Sequence, residues 1–293
     1  MAEFKSPPEI TEASVETGES KAKIGPVKVL VGSFLAGAYI GFGALLAIAV
    51  SSGFDEQILG TIPTFFRGLV FSLGLILVVI AGSELLTGNM ALVPIAMMRG
   101  RVAYRQLVSN IGLVLIGNFV GAVFVAFFLA VETGVLTVEP QFSTLEEIAL
   151  LKGQQESLWQ IFLRALGANW LVCLAVWLAL SATDVAGKIL AIIFPILAFV
   201  AMGFDHVIAN MFFLPAAIFA GVDITWLDAL KNFAFAFLGN FVGAAVFVAG
   251  AYYFLYGRDE EPGGGDQPEA HRRHGGAQDA ELVGAGGDGG SSS

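Results

Sequence analysis

Six stretches of the chain are apolar over the length a helix needs to cross a bilayer, about 20 residues for a hydrocarbon core of about 30 Å. Residues 29–50, 107–131, 165–183 and 232–257 contain no charged side chain. Residues 68–98 and 189–222 are longer and apolar throughout, except for Glu84 in the first and Asp205 and His206 in the second. In lipid, backbone N–H and C=O groups must pair within the protein, so spans of this length fold as helices. The composition agrees: of 293 residues, 56% are hydrophobic and only 14% charged, with a mean hydropathy of +0.76. An all-α integral membrane protein of six transmembrane helices is the expected class.

The charge of −10 is concentrated at the ends, since residues 27–256 carry 9 Lys/Arg against 12 Asp/Glu. That balance excludes a basic nucleic-acid binder. Cys173 is the sole cysteine, so neither a disulfide framework nor a multi-cysteine metal site is available. Residues 1–24 are polar and lack the apolar core of a signal peptide, so the first span is expected to direct its own insertion. With six crossings and the N-terminus inside, inside segments hold eleven Lys/Arg and outside segments four, which favours cytoplasmic N- and C-termini in the plasma membrane. The expected organisation is a polar cytoplasmic segment over 1–26, a six-span domain over 27–256, and a disordered, acidic, Gly-rich tail over 257–293. In that tail, His271 and His274 flank Arg272 and Arg273; a solvated tail rather than a metal site is expected.

The motif GNFVGA at residues 117–122 recurs letter for letter at 239–244, with Asn110 and Asn232 preceding each copy at the same spacing. The two charged spans also correspond, because Gly82, Glu84, Asn89, Met90 and Pro94 match Gly203, Asp205, Asn210, Met211 and Pro215 at an offset of 121. Two independent matches at nearly one offset indicate duplicated halves, at about 27–131 and 160–256. Each half holds an odd number of crossings, so the copies are expected in opposite orientations, with a substrate path between them near the midplane.

Gly before each acid and Pro after it weaken both charged spans, and each is expected to be a broken helix. Broken backbone at membrane depth needs polar partners, a task suited to Asn89 and Asn210, and Glu84 and Asp205 are expected to brace their own loops. Thr87 and Gly88 supply a hydroxyl and backbone freedom in the first break. The half-helix starting near His206 would aim N–H groups into a cavity. His206 has no counterpart in the first half, where Leu85 takes its place, so bracing by symmetry does not require it. A buried imidazole can donate, accept and change charge near neutral pH, which points to a pore role. Lys152, in the long outside connection, could lead an anion inward.

These segments are similar to those of the formate/nitrite transporter family, channels and transporters of formate, nitrite, hydrosulfide and lactate. The resemblance covers roughly residues 27–256. It rests on GAYIGFG (37–43), FSLGLILVVIAGSELLTGN (71–89), the GNFVGA copies, ANWLVCLAVW (168–177) and FVAMGFDHVIANMFFLP (199–215). It implies an aquaporin-like protomer in a homopentamer, each protomer with its own pore and no cofactor. Carried onto this chain, the central histidine is His206 and the facing threonine Thr87. Phe71 and Leu75 fall on one apolar constriction and Phe199 on the other, with Leu86 at the first loop. The family's fourth-span asparagine falls on Asn169 and its vestibule lysine on Lys152, which stands one residue further from Asn169 than the family's spacing. The implied activity is passage of a small monovalent weak-acid anion, formate or nitrite first, neutralised by a proton near His206. An aquaporin-like channel for neutral solutes is the alternative, although its paired Asn-Pro-Ala motifs are absent. A membrane enzyme or redox anchor would want paired histidines or a cysteine cluster, so an enzyme is not expected.

Overall fold

The computed structural model describes residues 4–54 and 56–258. From residue 259 onward the tail lies outside the described residues, and with it His271 and His274. Among the described residues there is no strand, only an isolated antiparallel bridge between Phe4 and Ala182. The helices are α1 (Pro7–Ala22), α2 (Pro26–Ser51), the single turn α3 (Glu56–Leu59), α4 (Ile62–Ala81), α5 (Leu86–Met98) and α6 (Tyr104–Phe124). They continue with α7 (Gln141–Leu150), α8 (Leu158–Ser181), α9 (Val185–Ala201), α10 (Val207–Ala220) and α11 (Trp226–Ala244). α6 runs on as a π-helix over Val125–Val131, and α11 as π-helices over Ala245–Gly250 and Tyr253–Gly257. Among the described residues five spans are long and apolar enough to cross a membrane: Pro26–Ser51, Ile62–Ala81, Tyr104–Val131, Leu158–Ser181 and Trp226–Gly257. α5, α9 and α10 are apolar but shorter.

The repeated GNFVGA motif has one physical role in both copies. A Cβ on Gly121 of α6 would lie 2.0 Å from the Phe34 carbonyl oxygen of α2, and one on Gly243 of α11 would lie 2.3 Å from that of Leu166 on α8. Only glycine lets these helix backbones approach so closely, the packing that small residues provide where lipid supplies no hydrophobic drive. α2 therefore packs on α6 as α8 packs on α11.

The charged stretches divide at their glycines. α4 stops before Gly82, in left-handed conformation at φ 76°, and α5 begins at Leu86. α9 stops two residues before Gly203, at φ 68°, and α10 begins at Val207. Pro94 and Pro215 sit inside α5 and α10, so each helix continues past its proline with one hydrogen bond fewer.

The segment before residue 26 is more than a polar leader. Ser6 and Glu9 form a capping box at the start of α1, whose Ile10, Val15 and Gly18 are buried. α1 packs so tightly on α5 that a Cβ on Gly18 would meet the Leu92 carbonyl oxygen at 1.8 Å.

Candidate functional site

Both breaks are held by a similar polar arrangement, whose acids and asparagines correspond at offsets of 121 and 122 while its lysines, Lys21 and Lys152, stand 131 apart. In the first, Glu84 Oε1 pairs with Lys21 Nζ at 2.8 Å, and Asn89 Nδ2 donates to Glu84 Oε2 and to Asn110 Oδ1, both at 2.9 Å. Asn110 Nδ2 donates to the carbonyl of Lys21 at 3.2 Å. In the second, Asp205 Oδ1 accepts from Lys152 Nζ and from Asn210 Nδ2, both at 2.8 Å. Asn210 Nδ2 also donates to Asn232 Oδ1 at 2.8 Å, and Asn232 Nδ2 donates to the carbonyl of Lys152 at 3.0 Å. Each acid thus has a lysine whose own backbone is fixed by the same asparagine network.

The freed backbone of the breaks is satisfied by the asparagines of the GNFVGA copies. Asn118 Nδ2 donates to the carbonyls of Ser33 and Glu84, and its Oδ1 accepts from Leu86 N at 2.8 Å. Asn240 Nδ2 donates to the carbonyls of Ala165 and Asp205, and its Oδ1 accepts from Val207 N at 2.9 Å. Glu84, Asp205, Asn89 and Asn210 therefore bond side chains around the breaks, while Asn118 and Asn240 bond their backbone. The sequence signal for those two was the repeat itself, where an asparagine is conspicuous among Gly, Phe and Val.

Between the breaks, Thr87 Oγ1 lies 2.9 Å from His206 Nε2. His206 is the N-cap of α10, and its Nδ1 accepts from Ala209 N at 3.2 Å. An acceptor at Nδ1 leaves the ring proton on Nε2, which donates to Thr87 Oγ1. A second proton, on Nδ1, would break the cap. The ring stacks on Phe199 with centroids 5.9 Å apart, and Phe199 meets Phe71 edge-to-face at 5.8 Å. Phe71, Leu75, Leu86, Phe199 and His206 are all buried.

Two cavities approach this contact. The first, of about 540 Å³, is bounded by Lys21, Leu75, Glu84, Gly88, Asn89 and Lys188. The second, of about 100 Å³, is bounded by Arg67, Phe71, Lys152, Phe199, His206 and Asn210. Thr87, Leu86 and Asn169 border neither cavity. Asn169 spends both amide hydrogens on backbone, donating to the carbonyls of Asn240 at 2.8 Å and Thr87 at 3.2 Å, so it positions Thr87 from behind. A π-helical turn over Leu151–Gln155 carries Lys152 and directs it to Asp205. Lys21, Arg67, Glu156 and Arg164 had no motif to single them out, because only the fold brings them to the site.

A bundle of apolar helices with two cavities approaching a polar contact deep in its interior defines a helical membrane transport protein. The chain belongs to the formate/nitrite transporter family, whose pattern matches residues 8–254. It is 45% identical to a probable formate transporter of Methanothermobacter thermautotrophicus over 269 residues, covering 86% of this chain and 97% of that one. Among solved structures it resembles a channel of the same family at a TM-score of 0.79 and 29% identity, covering 84% of this chain and 98% of the other. It also resembles a pentameric formate channel with formate bound, at 0.70 and 30%, covering 80% and 98%.

Proposed function

We propose that the protein carries small monovalent weak-acid anions, formate or nitrite first, across the plasma membrane, each neutralised by a proton near His206. The observation that carries this reading is the 2.9 Å contact of His206 and Thr87 between two lysine-guarded cavities. α4 with α5, and α9 with α10, are the two broken crossings of a six-span inverted repeat, and both termini are cytoplasmic. The pentameric state of the formate channel that the chain resembles supports a homopentamer in lipid, one path per protomer.

Lys152 gathers the anion at the outer cavity. A bare charge passing Phe71 and Phe199 would pay a large desolvation cost. Losing its hydration, the anion becomes more basic and takes up a proton drawn from the outside solution, where the hydroxide left behind stays. The Nε2–H of His206 and the hydroxyl of Thr87 then offer hydrogen bonds to the neutral acid, which passes Leu75 into the inner cavity and gives up its proton near Lys21. His206 serves as a neutral donor throughout, since holding a charge would cost the cap of α10. Flux of formate, nitrite, lactate and hydrosulfide, with glycerol as control, into proteoliposomes at several outside pH values tests this. Saturable, acid-enhanced anion flux without glycerol passage is expected; glycerol passage without anions would move the protein to the neutral-solute class.

A further inference from the structure

Behind Lys152 lies a second carboxyl group that the transport path does not use. Glu156 ends the π-helical turn that carries Lys152, and its side chain is buried although it lies before the first residue of α8. Arg164 Nη1 of α8 donates to Glu156 Oε1. Glu156 follows Lys152 by about one turn, and Lys152 Nζ bonds Asp205 Oδ1 at 2.8 Å, so the two carboxyl groups lie around one lysine. Each has an oxygen, Glu156 Oε2 and Asp205 Oδ2, that is buried with no donor. Two buried carboxyl groups, 8% and 0% exposed, gathered around Lys152 with an orphaned acceptor apiece, are relieved together if one of them carries a proton and donates it to the other.

We propose that Glu156 and Asp205 hold a proton between them, and that this proton sets the charge with which the outer cavity meets an incoming anion. The charged and titratable groups facing Glu156 are Lys152 on its own turn, Arg164 on α8 and Asp205 in the α9–α10 break. His206 adjoins Asp205, Arg67 of α4 lines the same cavity, and Asp228 of α11, beside Gly153, is engaged with Thr225 and Lys231. With the proton in place, Lys152, Arg164, Asp205 and Glu156 together carry one net positive charge. When the proton leaves Glu156 for the outside water, they are neutral. Burial and the nearby Asp205 charge push the Glu156 carboxyl up to about 7, against the pull of Lys152 and Arg164. The sign follows: anion capture is strengthened below that pH and weakened above it, which makes Glu156 a positioning residue acting through Lys152.

The inference rests on the transport reading above, and its test separates the two. The half-saturating formate concentration is measured in proteoliposomes against outside pH at constant lumenal pH. The wild type is expected to need about tenfold more formate at about pH 8 than at about pH 6, the size of effect one charge has across a short, partly buried distance. Glu156→Gln, which mimics the protonated state, is expected to hold the low value at both. A Gln variant that keeps the wild-type profile would overturn the proposal. Arg164→Gln leaves the carboxyl in place and is expected to move the transition to higher pH; an unmoved transition would equally overturn it. Infrared difference spectra of the wild type across the same pH range supply a readout independent of transport. A protonated-carboxyl C=O band that titrates there and is missing in Glu156→Gln supports the shared proton, and its absence from the wild type refutes it. A protein that moves no anion at any pH yet shows that band would refute the transport reading alone.

Discussion

His206 and Thr87 follow different helix breaks, 119 residues apart in sequence, yet the ring Nε2 and the hydroxyl meet at 2.9 Å. The meeting depends on the cap at Nδ1, which fixes the ring's tautomer and turns its one N–H toward Thr87.

Thr87→Val keeps the shape and removes the hydroxyl. One hydrogen bond of about 1–1.5 kcal/mol at the narrowest point corresponds to about a tenfold loss of formate flux. Thr87→Ser is expected to restore most of it. Initial rates in proteoliposomes check both, with gel filtration confirming unchanged assembly.

Asn118→Ala and Asn240→Ala each strand buried backbone groups at Leu86 and Glu84, or at Val207 and Asp205. Unsatisfied buried groups cost about 1–3 kcal/mol apiece. Both variants are expected to melt several degrees lower in detergent, and by similar amounts, because the two asparagines make the same bonds. A large asymmetry between them would show that the halves are not equivalent braces.

Removing Lys152 alone leaves Asp205 buried beside an unpaired Asn210 Oδ1 and without its 2.8 Å partner. Breaking a buried pair costs about 3–5 kcal/mol, more than deleting both charges. Lys152→Met is therefore expected to be less thermostable than Lys152→Met with Asp205→Asn. Formate capture should fall in both, since neither supplies the cation. Thermal melts and half-saturation measurements on the same preparations separate the two effects.

Phe71 and Phe199 meet edge-to-face in the wall of the outer cavity. Phe71→Ala opens space beside His206 and is expected to raise lactate flux relative to formate by about tenfold, the effect of relieving a steric barrier of about 1.4 kcal/mol. Competition between labelled formate and unlabelled lactate checks the ratio.

Much of this was legible in the residues. The apolar stretches are helices, and the 121 and 122 offsets pair Glu84 with Asp205, Asn89 with Asn210 and Asn118 with Asn240 in equivalent bonds. GNFVGA was legible as a repeat, while the close helix contact made by its glycines emerges only in the fold. What composition and spacing hide is long-range pairing. Lys21 sits in a polar stretch whose helix is recognisable only once Ile10, Val15 and Gly18 are seen buried against α5. Asn169 was assigned by resemblance to meet a substrate, whereas its amide hydrogens are spent on the backbone of Asn240 and Thr87. Glu156 carries no signal in the sequence, because nothing local says that Arg164 of the following helix bonds it.

In the proposed mechanism the anion crosses with a proton. The most direct test loads proteoliposomes with a pH-sensitive dye, clamps the membrane potential and follows labelled formate and lumenal pH together. Formate entry is expected to acidify the lumen in step with uptake, at a rate indifferent to the clamped potential. Formate entry driven by a positive lumenal potential without acidification would contradict it and make the protein a conductor of the bare anion.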